Sequence, residues 1–583
     1  MDLTCKIGGA QGEGIDSMGE VFALTLHRVG YYIFAHRYYQ SLIKGGHTNY
    51  KVRAGTGPMQ NHGDTLDILV ALDELTIREN GHELAPGSVL VYDAALPEPT
   101  GLPAGVVLCP VPLAQIAREL GSPIIKNVVA VGAAAGLLGL GTASVAAVLE
   151  ERFAGKGDEV LELNRRALEA GSGYVTERGW RSHRGLPQLE EVPRSPSLFI
   201  SGNEAMALGA VAGGCRFLAA YPITPATEIM YRMIKHLKET GGAVLQAEDE
   251  LAAINMAIGA GYTGVRAMTS TSGPGFSLMM EALGLAGIAE IPVVIVNVQR
   301  GGPSTGLPTK TEQGDLNEML YGAHGDIERI VLAPSTVEEC FLFAAEAFNL
   351  AERFQCPVIL SSDMYLGQSR ASSDGLPYDE VAIERGALLT AEDLAQTGAK
   401  EFRRYRVTES GISPRSIPGQ ASGRYVALGN EHDELGYEIE DTATRLAQVQ
   451  KRRRKLAGFD PLGLGLEYEG PEEPEILLVG WGSTRGSIGE ARRQLAAEGI
   501  KTAHMHLGLL APFPTEWVSR HMAPARRVVV VEQAITGQLA ALIKQHVGGH
   551  EKIHSYCRYD GTPIVRADVV GACKEVLANA VAR

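Results

Sequence analysis

Short apolar runs separated by longer amphipathic stretches recur along most of this 583-residue chain. In the first 180 residues, short runs rich in apolar and β-branched residues alternate with stretches whose apolar residues repeat every three or four positions. The first pattern is typical of buried strands and the second of helices packed on a sheet. We therefore expect an α/β domain over 1–180, with strands at 3–7, 68–72, 89–93 and 106–111.

The same alternation returns in two later blocks, so the predicted fold class is α/β throughout. The second block covers 198–370, and its predicted strands lie at 217–221, 244–246, 267–269, 293–298 and 358–361. The third block covers 471–583, and its predicted strands lie at 476–479, 502–506 and 527–531. Parallel sheets of this kind bind ligands beyond the carboxyl ends of their strands, so we expect the site residues to lie there.

Two polar stretches separate the three blocks. Residues 181–197 are rich in Pro, Arg, Gly and Glu without apolar periodicity, which predicts an exposed linker. Residues 371–470 are polar and irregular, and they contain a predicted helix at 441–455 that ends in the basic run 451–455. We interpret this run as a solvated helix face, with docking of an acidic carrier protein as the alternative.

Charge and hydropathy exclude several classes of protein. The formal net charge of −15 argues against a nucleic-acid-binding protein, because neutralising phosphates requires clustered Lys and Arg. The amino end lacks a basic segment followed by an apolar one, so we expect a cytoplasmic protein. Residues 128–149 carry no charge but are mostly small, which predicts a close-packed helix and not a membrane span.

The seven cysteines are scattered and include no Cys-x-x-Cys pair. Iron–sulfur clusters and structural zinc are held by closely spaced thiolates, so we expect neither in this chain, and no other metal site. If electrons pass through iron and sulfur, another polypeptide supplies the ligands.

A glycine-rich turn at 8–14 follows the first predicted strand and precedes a predicted helix at 15–29. Glycines let backbone amides approach an anion closely, and the helix amino terminus adds partial positive charge. A tight turn without a ligand is an equally good interpretation of this motif alone. A second segment, 41–48, adds the hydroxyl of Ser41 and the amine of Lys44, while His47 is interpreted as structural.

Together these two segments, GGAQGEG and SLIKGGHT, resemble the gamma domain of the 2-oxoacid:ferredoxin oxidoreductase family, a domain that binds coenzyme A. The resemblance implies contacts with the coenzyme by six residues: Gly9, Gln11, Gly12, Ser41, Lys44 and Asn127.

The string Tyr-Pro-Ile-Thr-Pro at 221–225 lies just after a predicted strand. Its prolines fix the backbone and give the Thr224 hydroxyl a defined direction, although a plain proline-rich turn would contain the same residues. The string resembles the pyrimidine-binding region of the alpha subunits of the same family. In that family this threonine faces the substrate and the reacting thiazolium, and the resemblance assigns that role to Thr224.

Three acidic residues, 248–250, precede a helix of small residues. Acidic residues at a helix start commonly complement the helix dipole. Thiamine chemistry offers a sharper role, because a carboxyl bonded to the aminopyrimidine nitrogen stabilises the tautomer that deprotonates the thiazolium carbon. The family pattern, a glutamate nine residues before a glycine, fits Glu250 as a catalytic and cofactor-binding residue, with Glu248 as the second choice.

Arg300 follows the predicted strand 293–298 and precedes two glycines. A guanidinium at a strand end suits a carboxylate, and every 2-oxoacid presents one beside its ketone. Arg300 is therefore the candidate for binding the substrate carboxylate. By resemblance, the loop 303–309 is similar to that of the 2-oxoglutarate and broad-specificity branch, which implies that Thr309 lies near the far end of the substrate.

One motif of complete thiamine enzymes is missing from the sequence. The Gly-Asp-Gly segment followed by Asn, which holds Mg²⁺ and the diphosphate, does not occur. The resemblance therefore implies a two-subunit enzyme in which a beta subunit supplies Mg²⁺, the diphosphate site of thiamine diphosphate and a [4Fe-4S] cluster. The implied assembly is an (alpha-beta)2 heterotetramer, and the carboxyl-terminal block, transketolase-like by resemblance, is interpreted as structural.

The implied reaction is oxidative decarboxylation of 2-oxoglutarate with coenzyme A, giving succinyl-CoA, CO2 and reduced ferredoxin, in a direction that the sequence leaves open. Three alternatives remain at this point. The same chemistry could act on pyruvate or branched-chain 2-oxoacids. The chain could belong to a lipoamide-linked or carboligating thiamine enzyme. It could also be a non-catalytic scaffold that only binds coenzymes.

Overall fold

The computed structural model describes residues 1–40, 45–180, 186–193, 198–396 and 401–581. Its strands are β1 Asp2–Ala10, β2 Tyr32–Tyr39, β3 His47–Gly55, β4 Leu66–Ala71, β5 Leu84–Asp93, β6 Val107–Val111, β7 Leu198–Ser201, β8 Phe217–Ala220, β9 Ala243–Gln246, β10 Ala267–Thr271, β11 Val293–Gln299, β12 Ile330–Leu332, β13 Pro357–Asp363, β14 Arg370–Ser373, β15 Leu466–Glu469, β16 Ile476–Trp481, β17 Thr502–Leu507, β18 Leu509–Ala511, β19 Arg527–Glu532 and β20 Ile553–Cys557.

Its α-helices are α1 Ile15–Arg28, α2 Glu74–Asn80, α3 Leu113–Glu119, α4 Lys126–Leu137, α5 Thr142–Phe153, α6 Asp158–Glu177, α7 Gly202–Ala212, α8 Thr227–Glu239, α9 Glu250–Tyr262, α10 Gly273–Leu278, α11 Met280–Ile288, α12 Leu316–Tyr321, α13 Val337–Phe354, α14 Met364–Gln368, α15 Ala391–Gln396, α16 Thr442–Arg453, α17 Arg485–Ala497, α18 Thr515–Met522, α19 Gln538–Val547 and α20 Arg566–Val581. The predicted α/β class is confirmed. No helix in the described ranges is both long and apolar enough to cross a bilayer.

The chain divides into two compact units. The first contains residues 1–201, 368–375 and 565–567, around an eight-stranded sheet in the order β6-β5-β4-β1-β3-β2-β14-β7. The four predicted strands are confirmed as β1, β4, β5 and β6, and they are mutually parallel. Four more strands, β3, β2, β14 and β7, extend the sheet with antiparallel pairing and were not predicted.

The uncharged run at 128–149 is close-packed as predicted, but it is two helices and not one. Residues 138–141 separate α4 from α5, and Gly139 in this break has a φ of 71°. Helix α4 packs on α6 so closely that a Cβ on Gly132 would collide with the carbonyl oxygen of Leu168. Small residues are therefore required here for helix–helix contact.

The predicted linker 181–197 lies partly outside the described residues. Within its described part, Leu186 and Leu189 are buried in the core of the first unit, and Val192 donates a backbone hydrogen bond to Val29. The described part of the segment is therefore not exposed throughout, because it contributes buried leucines to the core.

The second unit contains a seven-stranded sheet in the order β18-β12-β13-β11-β10-β8-β9 and a five-stranded sheet in the order β15-β17-β16-β19-β20. Apart from β18 and β15, the strands of each sheet are parallel. Parallel β8, β10 and β11 are neighbours, so the segments that follow them emerge at one edge of the sheet.

The stretch 371–470, predicted to be irregular, contains helices α15 and α16, strand β15 and part of β14, but most of its described residues lie outside helices and strands. Buried charges connect residues 376–456 of this irregular region to the rest of the second unit. Glu352 pairs with Arg266 of β10's preceding turn and with Arg385 and Arg415 of the irregular region. A second buried carboxylate, Glu290, pairs with two lysines of the basic run that ends α16.

The interpretation of the basic run 451–455 as a solvated face is wrong. Lys451 and Lys455 are buried against Glu290, with Nζ–O distances of 2.5 and 2.7 Å. Arg452 pairs with Glu431 and is half-buried, as is Arg454. Of the five basic residues in the run, Arg453 is the exposed one. The sequence could not show this because Glu290 lies 161 residues before Lys451.

Candidate active site

Three of the predicted site residues belong to the edge of the seven-stranded sheet where parallel strands end. Thr224 follows β8, Glu250 begins α9 just after β9, and Arg300 follows β11 directly. The strands end here because proline, capping and glycine residues follow them. The edge therefore collects a hydroxyl, a carboxyl and a guanidinium from three separate parts of the sequence.

Arg300 joins two of the predicted segments. Its Nη1 donates to the carbonyl oxygen of Thr224 at 2.7 Å, and its Nη2 donates to the carbonyl oxygen of Thr305 at 3.0 Å. The side chain is buried, and its Nε has no partner. Within the described ranges, no carboxylate pairs with this guanidinium. Burial lowers the pKa of Arg300, while the charges of Asp315 and Glu250 oppose that shift.

The acidic residues 248–250 differ in position and partner. Asp249 caps α9, because its carboxylate accepts from the backbone N–H of Ala252 at 2.7 Å. Glu248 is exposed, and Glu250 is only 6% exposed. Since Asp249 already satisfies the helix end, Glu250 is not needed for capping. The geometry thus favours Glu250 over Glu248 for a role inside the site.

The backbone of Gly275 lies directly against the Glu250 carboxyl. A Cβ at Gly275 would be 2.5 Å from Oε1 of Glu250 and would also collide with Oγ1 of Thr271. Within the described residues, the Glu250 carboxylate accepts no hydrogen bond. A buried acceptor that the protein leaves without a donor is suited to a ligand N–H, as a pyrimidine would provide.

The loop after Arg300 is closed at its base and exposed at its tip. Gly301 and Lys310 are joined by an N–H···O bond of 3.0 Å, and Leu307 donates to the carbonyl oxygen of Gly301 at 2.8 Å. Residues 302–307 are exposed. Thr309 is half-buried near the end of the loop and makes no side-chain hydrogen bond to the described residues.

Asp315 is a site residue that the sequence did not reveal. Its Oδ2 accepts from Asn297 at 3.0 Å, and its backbone N–H donates to the side chain of Gln299 at 2.9 Å. Burial raises the pKa of Asp315 to about 6. One signal was present in the sequence: Asn297 and Gln299 are polar residues in an otherwise apolar strand, and buried amides need partners.

The glycine turn of the first unit brings four of the six predicted coenzyme residues together. Gln11 donates from its side chain to the carbonyl oxygen of Gln40 at 2.6 Å, and Asn127 donates to the carbonyl oxygen of Glu13 at 2.7 Å. Gly12 lies in this turn with a φ of 90°, and Gly9 lies near the end of β1, just before the turn. Ser41 and Lys44 lie outside the described residues.

The amino terminus of α1 closes this turn, and no side chain caps it. Its N-cap residue is Gly14, with a φ of 74°, and a Cβ there would be 2.6 Å from Nδ2 of Asn127. Lys126 lies alongside and pairs with Glu13 at 2.7 Å. Uncapped helix amides next to a lysine fit a phosphate group.

The part of the chain that the structure describes contains no cluster of metal ligands. There, no three His, Cys, Asp or Glu side chains gather as a metal ion requires.

Three elements at the β9 end of the seven-stranded sheet carry exposed apolar residues, and one of them, α9, begins with Glu250. We call this set of residues the α8–α9 face, and its members are Tyr231, Ile234, Leu245, Leu251 and Met256. Strand β9 is also the edge strand of the seven-stranded sheet. Exposed apolar surface next to an unpaired strand edge is typical of a protein–protein contact.

Comparison with known proteins places the chain in a family. The family model "Pyruvate ferredoxin/flavodoxin oxidoreductase" matches residues 4–174, "Pyruvate flavodoxin/ferredoxin oxidoreductase, thiamine diP-bdg" matches 208–451, and "Pyruvate:ferredoxin oxidoreductase core domain II" matches 474–569.

Relatives match almost the whole chain. The 2-oxoacid:ferredoxin oxidoreductase 2, subunit alpha, of Aeropyrum pernix is 33% identical over 99% of this chain and 98% of its own length. The 2-oxoglutarate oxidoreductase subunit KorA of Mycobacterium tuberculosis is 31% identical over 93% and 87%. A solved structure, 2-oxoglutarate:ferredoxin oxidoreductase from Magnetococcus marinus with 2-oxoglutarate, coenzyme A and succinyl-CoA bound, has a TM-score of 0.93 at 36% identity and covers 98% and 99%. The chain therefore belongs to the family of 2-oxoacid:ferredoxin oxidoreductase alpha subunits, with the gamma-type domain fused at its amino end.

Proposed function

We propose that this subunit oxidatively decarboxylates 2-oxoglutarate with coenzyme A, giving succinyl-CoA, CO2 and reduced ferredoxin, together with a beta subunit. The observation that carries the proposal is Arg300, a buried guanidinium that has carbonyl partners but no carboxylate partner among the described residues. A buried cation without an anion is unfavourable, so the site is suited to an anionic substrate.

Arg300 binds the carboxylate next to the ketone of the substrate through its remaining N–H groups. Its bonds to the carbonyl oxygens of Thr224 and Thr305 fix the guanidinium plane before substrate arrives. Thr224 is held beside the same carboxylate, where its hydroxyl orients the 2-oxo group. Fixing both groups of the 2-oxoacid lowers the entropy lost on reaching the reactive geometry.

Glu250 holds the aminopyrimidine of thiamine diphosphate. When bound, that cofactor supplies the nucleophilic carbon that attacks the 2-oxo carbon. The Glu250 carboxyl would share a proton with the pyrimidine ring nitrogen, and the absence of a Cβ at Gly275 leaves space for the carboxyl beside it. Two observations support this role: Glu250 is buried, and its carboxylate accepts no hydrogen bond from the described residues.

Coenzyme A binds the glycine turn of the first unit. Gly9 and Gly12 leave the backbone bare, and the uncapped amides of α1 face the same turn. Gln11 and Asn127 hold the turn through their bonds to backbone carbonyls, and we propose Ser41 and Lys44 as further contacts. Thr309 is proposed to contact the distal part of the 2-oxoacid.

A beta subunit completes the site by supplying Mg²⁺, the diphosphate contacts and a [4Fe-4S] cluster. The α8–α9 face, which includes residues of the helix that Glu250 begins, supports such a partner. In the overall reaction the bond to the carboxylate carbon breaks to release CO2, and the thiol of coenzyme A loses its proton and bonds to the former 2-oxo carbon. Two electrons leave singly and reduce ferredoxin. An (alpha-beta)2 heterotetramer is the proposed assembly.

Substrate preference is tested with the reconstituted complex of this chain and its partner. Reduction of a viologen acceptor is measured with coenzyme A and either 2-oxoglutarate, pyruvate or a branched-chain 2-oxoacid. We expect the highest kcat/KM with 2-oxoglutarate, as the bound ligands of the Magnetococcus marinus structure support. A higher value with pyruvate would transfer the proposal to that substrate, and turnover without ferredoxin or viologen would indicate a different class of thiamine enzyme.

The role of Glu250 is tested by Glu250→Gln in the same complex. The amide cannot share a proton with the pyrimidine, so we expect kcat to fall about a thousandfold, within the range of general acid–base catalysis. Glu248→Gln is the matched variant because it makes the same change at the exposed neighbour. Full activity of Glu250→Gln would reject the catalytic role, and loss of activity only in Glu248→Gln would transfer the role to Glu248.

A further inference from the structure

The loop between β11 and α12 carries Arg300 at one end and Asp315 at the other, and the two ends are held differently. The first end continues from β11 of the seven-stranded sheet. The second end, residues 311–315, is bonded to the carboxyl ends of strands in the five-stranded sheet. The carboxyl-terminal block therefore contacts the segment that binds substrate.

Gln313 makes the innermost of these contacts. It is fully buried, and its backbone N–H donates to the carbonyl oxygen of Gln533 at 2.7 Å. Its side-chain oxygen accepts from the N–H of Gln533 at 3.1 Å, and its side-chain nitrogen donates to the carbonyl oxygen of Trp481 at 3.1 Å. One glutamine thus uses three hydrogen bonds to reach the ends of β16 and β19.

Gln538, the first residue of α19, makes the second contact. Its side-chain nitrogen donates to the carbonyl oxygen of Gly314 at 2.7 Å, and its side-chain oxygen accepts from the N–H of Asn317 at 2.8 Å. This single amide therefore bonds the backbone on both sides of Asp315. Its two partners belong to the loop and to the start of α12.

A third contact passes through Asp363 at the end of β13. Its carboxylate accepts from the hydroxyl of Ser483 at 2.5 Å and from the hydroxyl of Thr311 at 3.4 Å. The loop end, the seven-stranded sheet and the five-stranded sheet meet at this carboxylate.

These contacts reach Arg300 through Asp315. Asp315 is bonded to Asn297 and Gln299 of β11, and its charge acts on Arg300, which follows Gln299 directly. A shift of Gly314 would displace Asp315, and with it the charge that faces the guanidinium. Misplacing a binding group by a fraction of an ångström weakens charge-assisted hydrogen bonds to a ligand.

We propose that Gln538 and Gln313 are positioning residues for 2-oxoacid binding, and that the five-stranded sheet holds the Arg300–Asp315 loop in its substrate-binding geometry. The carboxyl-terminal block then has a role in substrate affinity in addition to structure. This inference rests on the proposed function of the site, and it assigns part of the affinity for the 2-oxoacid to the five-stranded sheet.

The test uses Gln538→Ala in the reconstituted complex, with KM for the 2-oxoacid, KM for coenzyme A and kcat measured separately. The variant loses both bonds that flank Asp315, so we expect KM for the 2-oxoacid to rise about tenfold, as expected for one or two lost hydrogen bonds. KM for coenzyme A should stay unchanged. Gln538→Glu keeps the acceptor for Asn317 and loses the donor to Gly314, so it should give an intermediate KM.

Gln448→Ala is the matched control. Gln448 is also a fully buried glutamine in the second unit, and it donates to the carbonyl oxygen of Tyr405 at 3.0 Å, away from the loop. Thermal unfolding of all variants gives their loss of stability. If Gln538→Ala lowers the unfolding temperature like Gln448→Ala and leaves KM unchanged, the residue is only structural and the inference is overturned.

Gln313→Ala extends the test to the buried contact, and Gln538→Ala decides the matter if the Gln313 variant does not fold. Failure of the proposed function looks different from failure of this inference. A wild-type complex that turns over no 2-oxoacid contradicts the function, whereas normal wild-type turnover with an unchanged KM in Gln538→Ala contradicts only the positioning role.

Discussion

At the scale of single residues, the site contains ionisable groups whose burial is unfavourable in the free protein. Arg300 makes no ion pair with a carboxylate among the described residues, and the acidic Asp315 is half-buried beside two amides. Both arrangements become favourable when a ligand supplies the missing charge or hydrogen bond. Residues of this kind identify a binding site more specifically than apolar lining does.

Asp315 gives a prediction about pH and stability. Its pKa is raised to about 6 in the folded protein from 3.8 in the unfolded chain, so the folded state binds more protons between these values. The free energy of unfolding should therefore fall as pH rises from about 4 to 6, by at most about 3 kcal/mol.

Asp315→Asn should remove this part of the pH dependence, because the amide does not titrate. Urea unfolding of the wild type and the variant at several values from pH 4.5 to 7 measures the difference. Parallel pH profiles for the two proteins would show that Asp315 does not titrate in this range.

The sequence predicted site residues where a local pattern accompanied them. Glu250 and Arg300 each follow a strand and belong to a motif, so position and chemistry could be inferred together. Asp315 could not be predicted, because its partner Asn297 lies 18 residues away and no motif links the two. The roles of all these site residues remain predictions, and Ser41 and Lys44 also lie outside the described residues.

At the scale of elements, two buried carboxylates attach an irregular region to the α/β core. Glu352 pairs with Arg266 and Arg415, and Glu290 pairs with Lys451 and Lys455. The charged helix predicted at 441–455 is confirmed as α16, with bounds close to the predicted ones. The sequence could not predict which side of the helix is buried, because burial of Lys451 depends on a carboxylate far away in the sequence.

Glu290→Gln should be strongly destabilising. Removing one partner leaves two lysines buried without a counter-charge, and the expected loss is about 3–5 kcal/mol of unfolding free energy. Glu384→Gln is the control, since Glu384 pairs with Arg353, the two side chains are 51% and 41% exposed, and exposed pairs contribute about 0–1 kcal/mol. Chemical denaturation followed by circular dichroism measures both. Equal losses in the two variants would contradict the importance of the buried cluster.

At the scale of the whole molecule, the two proposed ligands belong to different compact units. The glycine turn lies in the first unit, and Thr224, Glu250 and Arg300 lie in the second. A defect in the first unit should therefore change KM for coenzyme A and leave KM for the 2-oxoacid unchanged.

Gly14→Ala tests this separation. A Cβ at Gly14 meets Asn127 at 2.6 Å and occupies a φ of 74°, so it should disturb the turn and raise KM for coenzyme A about tenfold. Gly87→Ala is the control, because Gly87 has a φ of 90° in the same unit but a Cβ there meets nothing within 4 Å. A rise in KM for the 2-oxoacid in Gly14→Ala would contradict the separation, as would equal effects of the two variants on coenzyme A.

The succession of α/β blocks could be predicted from apolar periodicity alone. The way in which the first sheet is extended could not, because β14 comes from residues 370–373 and pairs with β2 and β7 over long sequence separations. Periodicity reports local structure, and it contains no information about which distant strands pair.

The α8–α9 face has a consequence for how this polypeptide is produced in the cell. The edge strand β9 carries the exposed Leu245 and is flanked in sequence by helices that expose Tyr231 and Leu251, so it is prone to self-association when nothing covers it. Newly made copies in excess over the proposed beta subunit would aggregate, and balanced synthesis of the two chains would prevent this. Heterologous production of this chain alone should accordingly give inclusion bodies, and simultaneous production of its partner should keep it dispersed.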